Sequence, residues 1–73
     1  MNLAGMLRAR REELRLTLQE VALEVGISKG HLSGIESGRY RDIRLATAAR
    51  LAKALKLDLQ KLADVVLADA ASR

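Results

Sequence analysis

The stretch that decides the fold runs Thr17-Leu18-Gln19-Glu20-Val21-Ala22-Leu23-Glu24-Val25-Gly26-Ile27-Ser28-Lys29-Gly30-His31-Leu32-Ser33-Gly34-Ile35-Glu36-Ser37-Gly38. Thr17 and Glu20 have the spacing of a capping box, in which the hydroxyl and the carboxylate each accept a free backbone N–H at a helix start. Leu18, Val21, Ala22 and Val25 fall at i, i+3, i+4 and i+7, which makes one buried face. Gly26 ends that helix, because glycine takes the left-handed conformation without a Cβ penalty. Ile27 is expected to plug the core and Ser28 to cap a further helix over Lys29 to Ser37, which Gly38 stops. Two helices joined only by Gly26-Ile27-Ser28 are held at a steep angle, and one face of the second is left exposed.

Working outward, Leu3, Met6, Leu7 and Leu14 form the stripe of a first helix, about Leu3 to Arg15. Leu45, Ala48, Leu51, Ala52 and Leu55 form that of a fourth, about Leu45 to Lys56. Asp58 caps a fifth, with Leu59, Leu62, Ala63 and Val66 inward. Period-two alternation is scarce, while Ala, Leu, Arg, Lys and Glu dominate. The expectation is a single compact all-α domain of five helices over residues 1–73, with no linker and no repeat.

Composition narrows the function. The chain has 73 residues, no Cys, no Pro, no Trp, no Phe, one Tyr and one His. No disulfide or thiolate metal site is available, and one His makes a histidine zinc site improbable, so we expect no metal and no cofactor. A domain this small, without a second His or a carboxylate pair in a glycine-rich cleft, is not expected to be an enzyme. No run approaches the roughly 20 apolar residues that span a bilayer, and nothing at the start resembles a signal peptide, so the expected setting is cytoplasmic and away from membranes. Thirteen Lys+Arg against nine Asp+Glu give a net charge of +4. Arg39, Arg41 and Arg44 lie within six residues, just after a helix end. Such a cluster on a small basic domain points to a nucleic acid.

The residues Leu16 to Ala22, Val25 to Ser28 and Leu32 to Gly38, with Leu51 to Leu55 further on, closely resemble the Cro/repressor-type helix-turn-helix family, also called the xenobiotic-response-element type. The resemblance covers about residues 3 to 66. It implies a lambda-repressor-like five-helix domain (helix-turn-helix about 17–37) that binds double-stranded DNA in transcriptional control, usually as a dimer, with the third helix in the major groove. On a helical wheel, Leu32, Ile35 and Glu36 fall together, and Gly30, Ser33, Gly34 and Ser37 fall opposite, flanked by Lys29 and His31. Gly30 and Gly34 each cost about 1 kcal/mol relative to Ala in a helix, so two bare patches on one side suggest a close approach. Lys29 can donate to guanine or to a phosphate, His31 and Ser33 can meet bases or backbone, and Gly30 and Gly34 offer backbone proximity. Arg39, Arg41 and Arg44 are expected on phosphates. Ser37 is expected on a phosphate or on its own helix carbonyls, and Tyr40 on a phosphate or on the surface. The capped start at Thr17, with the amides of Leu18 and Gln19, forms an anion site. Two positions depart from the family pattern: Leu18 stands where many members carry Gln, and Ile43 where Pro is common.

Two charges fall on apolar stripes, Arg11 on the first helix and Glu36 on the third. A lone buried charge is strongly unfavourable, so the two are expected to pair, as the family often pairs them. Val65, Val66 and Leu67, in a fifth helix and tail over about 58–73, are the candidates for a homodimer surface. The alternative reading is an antitoxin-like or adaptor module whose main ligand is another protein, with Leu23 exposed for that contact.

Overall fold

The computed structural model describes residues 2–71 and contains α1 (Leu3–Glu13), α2 (Leu18–Val25), α3 (Lys29–Glu36), α4 (Leu45–Ala54) and α5 (Leu59–Ala71). The helices form an all-α domain without strands among the described residues. Packing runs α1 on α3 and α5, α2 on α3 and α4, and α4 on α5. Leu3 and Leu7 of α1, Val21 and Val25 of α2, Leu32 and Ile35 of α3, Leu51 and Leu55 around α4, and Leu62 of α5 are fully buried in one shared core. Met1, Ser72 and Arg73 lie outside the described residues, so the expected tail is followed only to Ala71.

The capping box forms in full. Glu20 N donates to Thr17 Oγ1 at 3.1 Å, and Thr17 N donates to Glu20 Oε1 at 2.8 Å. Ser28 Oγ accepts from His31 N at 2.9 Å, which starts α3. Four helix ends close in the same way, with a left-handed residue followed by a backbone N–H that reaches back five positions. The long bonds are Leu16 N to Arg11 O, Ile27 N to Ala22 O, Arg39 N to Gly34 O and Leu57 N to Ala52 O, between 2.8 and 3.1 Å. Gly26 and Gly38 take the left-handed position at φ 83° and 86°, as expected. At the other two ends it falls to Arg15 and Lys56, at φ 57° and 54°. This is why α1 and α4 stop at Glu13 and Ala54, short of the expected Arg15 and Lys56. Leu16, Ile27 and Leu57 each pack on the core just after the turn, the hydrophobic contact that accompanies this motif.

A Cβ in the left-handed region costs about 1–2 kcal/mol, partly offset by the chain entropy that glycine gives up on folding. Lys56→Gly is therefore expected to stabilise the domain by about 0.5–1 kcal/mol. Thermal melting checks this as a rise of a few degrees.

Two stripe positions differ from the expectation. Leu45, in the first turn of α4, is 74% exposed. Leu59, in the first turn of α5, is 41% exposed. Val66 is a core residue and Val65 packs against the core, so neither is free for a partner, whereas Leu67 is 70% exposed.

Candidate nucleic-acid interface

The rotation of α3 is set from inside. Leu32 and Ile35 are wholly buried, and Glu36 receives both arms of Arg11: Nε donates to Oε2 at 2.8 Å and Nη2 to Oε1 at 3.0 Å. The third arm, Nη1, donates to Leu16 O at 2.8 Å. The two side chains are only 12% and 7% exposed. The expected pair is thus a bidentate, nearly buried bridge from α1 to α3. The hydrogen bonds that Arg11 donates to Glu36 raise the Arg11 pKa above its ordinary value, with burial opposing.

The outward side of α3 carries Lys29, Gly30, His31 and Ser33, all exposed, and Gly30 faces open space. Gly34 corrects the wheel. It is buried, and a Cβ there would stand 2.7 Å from Tyr40 Cδ2, so the second bare patch is roofed by the Tyr40 ring and is not open. The Ser37 hydroxyl donates to Gly34 O at 3.0 Å, the helix carbonyl of the two partners expected for it.

Unpaired positive charge surrounds this side. The three ion pairs among the described residues, Arg8–Glu12, Arg10–Glu13 and Arg11–Glu36, all use arginines of α1. Lys29, Arg39, Arg41 and Arg44 are exposed and enter none of them. Arg39 takes the position after the left-handed turn that Leu16, Ile27 and Leu57 fill elsewhere, so the exit of α3 puts a cation at the surface where the other exits put an apolar plug. At the start of α2, the amides of Leu18 and Gln19 have no backbone or side-chain acceptor among the described residues. The Leu18 side chain packs on the core.

Two arginines were not singled out by the sequence. Arg50 joins His31, Tyr40, Asp42, Arg44 and Thr47 around a shallow groove of about 460 Å³ beside the α2–α3 turn. Arg10 donates from Nε to Leu55 O at 2.9 Å and from Nη2 to Lys56 O at 3.4 Å, and so caps the end of α4 from α1. An acceptor 45 residues away leaves no local signal. Among the described residues, no group of His, Cys, Asp and Glu is arranged to hold a metal ion, and no helix is long and apolar enough to cross a membrane.

The helix-turn-helix family model matches residues 7–62, most of the chain. The chain belongs to the helix-turn-helix family. The resemblance read from Leu16 to Gly38 therefore holds. The chain is 41% identical over 56 residues to the HTH-type transcriptional repressor RghR of Bacillus subtilis, a match covering 77% of this chain and 42% of that relative. It thus spans about two-fifths of the curated relative it matches. Its fold is that of the N-terminal DNA binding domain of SinR from Bacillus subtilis, with a TM-score of 0.76 over 84% of this chain and 88% of that one, at 21% identity.

Proposed function

We propose that the chain is a sequence-specific double-stranded DNA-binding domain of a transcriptional regulator, of the repressor kind, that places α3 in the major groove. The observation that carries this reading is the outward side of α3: it bears no acidic side chain, and Lys29 and the Arg39–Arg44 segment beside it hold unpaired cations. A groove lined by phosphates attracts such a surface and repels an acidic one. Lys29, His31 and Ser33 take the base-facing positions, with Gly30 allowing close approach. Arg39, Arg41, Arg44 and the amides of Leu18 and Gln19 take phosphates, which set register and carry no sequence information. The repressor named among its relatives supports the regulatory role. The setting that follows is the cytoplasm, with no catalytic task.

The reading includes a homodimer on an inverted repeat. The backbone measures 29 × 23 × 21 Å, so one copy cannot cover two major-groove faces about 34 Å apart. Of Val65, Val66 and Leu67, Leu67 alone is exposed, and Leu59 adds exposed apolar area two turns earlier on α5. Leu67→Glu is expected to shift a dimer to monomer and to weaken binding to a two-half-site duplex at least tenfold, with little change at a single half-site. Sedimentation together with binding titrations checks this, and an unchanged mass and affinity would remove α5 from the interface.

Salt-dependent binding to duplex DNA tests the main reading: affinity should fall steeply and linearly on a log–log plot against salt. The alternative, a module whose main ligand is another protein, draws on Leu23, which stands 72% exposed on α2. A chain that binds no duplex at low salt would favour it.

A further inference from the structure

The geometry points to Tyr40 as a base-discriminating side chain of the groove surface, selecting thymine at one position of each half-site; this rests on the DNA reading above. Tyr40 belongs to the loop after α3, yet its ring lies on the helix. The missing Cβ of Gly34 makes the seat, since any side chain there would overlap the ring. His31 holds the ring from another side, with centroids 5.3 Å apart and planes at 82°, the edge-to-face arrangement that aromatic pairs prefer. His31 and Gly34 are one turn apart on the outward side, so two contacts from that side fix the ring there. The backbone follows, with Tyr40 N donating to Gly34 O at 3.4 Å.

Tyr40 remains 43% exposed, and its hydroxyl makes no hydrogen bond to the described residues. Over the second turn of α3 the helix itself offers little: Ser33, the bare Gly34, and Ser37 with its hydroxyl committed to Gly34 O. Tyr40 is therefore the large side chain of this part of the surface. The apolar group that the major groove displays is the thymine C5-methyl. An aromatic ring held at a fixed place gains contact with that methyl and loses it when cytosine replaces thymine. A phosphate contact would use the hydroxyl alone and would not need a ring located from two sides.

The experiment is selection of bound sites from random duplex DNA by the whole chain and by Tyr40→Ala, Tyr40→Phe and Gly34→Ala, with thermal melting of each. The original chain should enrich thymine at one half-site position. Tyr40→Ala should lose about tenfold of that preference, the usual scale of one mismatched base pair, and keep the rest of the site. Tyr40→Phe should retain the preference. Gly34→Ala should evict the ring and behave like Tyr40→Ala, while its melting temperature is held up by the better helix former. Replacing the selected thymine with deoxyuridine should weaken the original chain and leave Tyr40→Ala unchanged. Identical sites for Tyr40→Ala and the original chain, or an equal loss on every duplex, would overturn the role of Tyr40 while DNA binding stands. If the original chain binds no duplex and Lys29→Ala changes nothing, the DNA reading falls, and this role with it.

Discussion

Glu36→Gln is expected to lower the unfolding free energy by about 3–5 kcal/mol, the usual cost of removing one partner of a buried ion pair. A 73-residue domain has a total stability of roughly 4–11 kcal/mol, so this single change removes a large share of it. The cause is Arg11, whose guanidinium would stay charged and nearly buried with only neutral acceptors, Leu16 O and one amide oxygen, and with an amide NH2 facing its own N–H groups. The charge cannot be shed, because a guanidinium keeps its proton at any ordinary pH even without Glu36. The sign is that of a base gaining a partner: its contribution is present below the ordinary arginine value and is lost only as pH rises through the raised one. Thermal melts should accordingly show the loss equally at mildly acidic and mildly alkaline pH. Replacing both residues by apolar ones, Arg11→Met with Glu36→Leu, should recover most of the stability, since a buried pair and a packed apolar pair are often near parity. The double variant separates stability from orientation. If it melts near the original but binds duplex DNA poorly, the bridge serves to fix the rotation of α3. An unchanged melt for Glu36→Gln alone would show that the bridge contributes nothing.

The joint variant Arg39→Ala, Arg41→Ala, Arg44→Ala should have the largest effect on binding. Each phosphate contact contributes about 0.9 to the slope of log affinity against log salt. Three lost contacts reduce that slope by about 2.7, which amounts to roughly 10²- to 10³-fold in affinity near 0.1 M salt. The three side chains are exposed and make no ion pair among the described residues, so the fold should not suffer. The loss should be nearly uniform across sequences, as expected for contacts that position and do not specify. Titrations of a selected duplex and a scrambled one, each at several salt concentrations, measure both slope and selectivity. An unchanged slope would place the arginines away from the phosphates.

The local features of the fold were legible because they are written in a few adjacent residues. Thr17 with Glu20, Ser28, Gly26 and Gly38 each name a cap by type and spacing, and all four appear where expected. Arg15 and Lys56 were not legible, since a left-handed turn is announced by glycine and these ends use basic residues. Helical spacing identifies the inward face of α4 but not which of its turns are covered, so Leu45 reads as inward yet lies exposed. The Arg11–Glu36 pair was readable because two charges on apolar stripes have few alternatives. Gly34 was placed on the correct side of α3, but the ring that covers it arrives from a loop six residues on, which no helical wheel contains. Arg10 was hidden beside Arg11, its partners being carbonyls at the far end of α4.

The eight residues of α3 include two glycines. Isolated helices shorter than about 12–15 residues are marginal in water even with the best formers, so this one has no independent existence. Its shape is lent to it by the buried face beneath. Cut free, the segment from Thr17 to Gly38 would keep Lys29, His31 and Ser33 and lose the surface they form. Whatever that surface grips therefore grips the native state alone, and each bound partner adds directly to the stability of the whole domain.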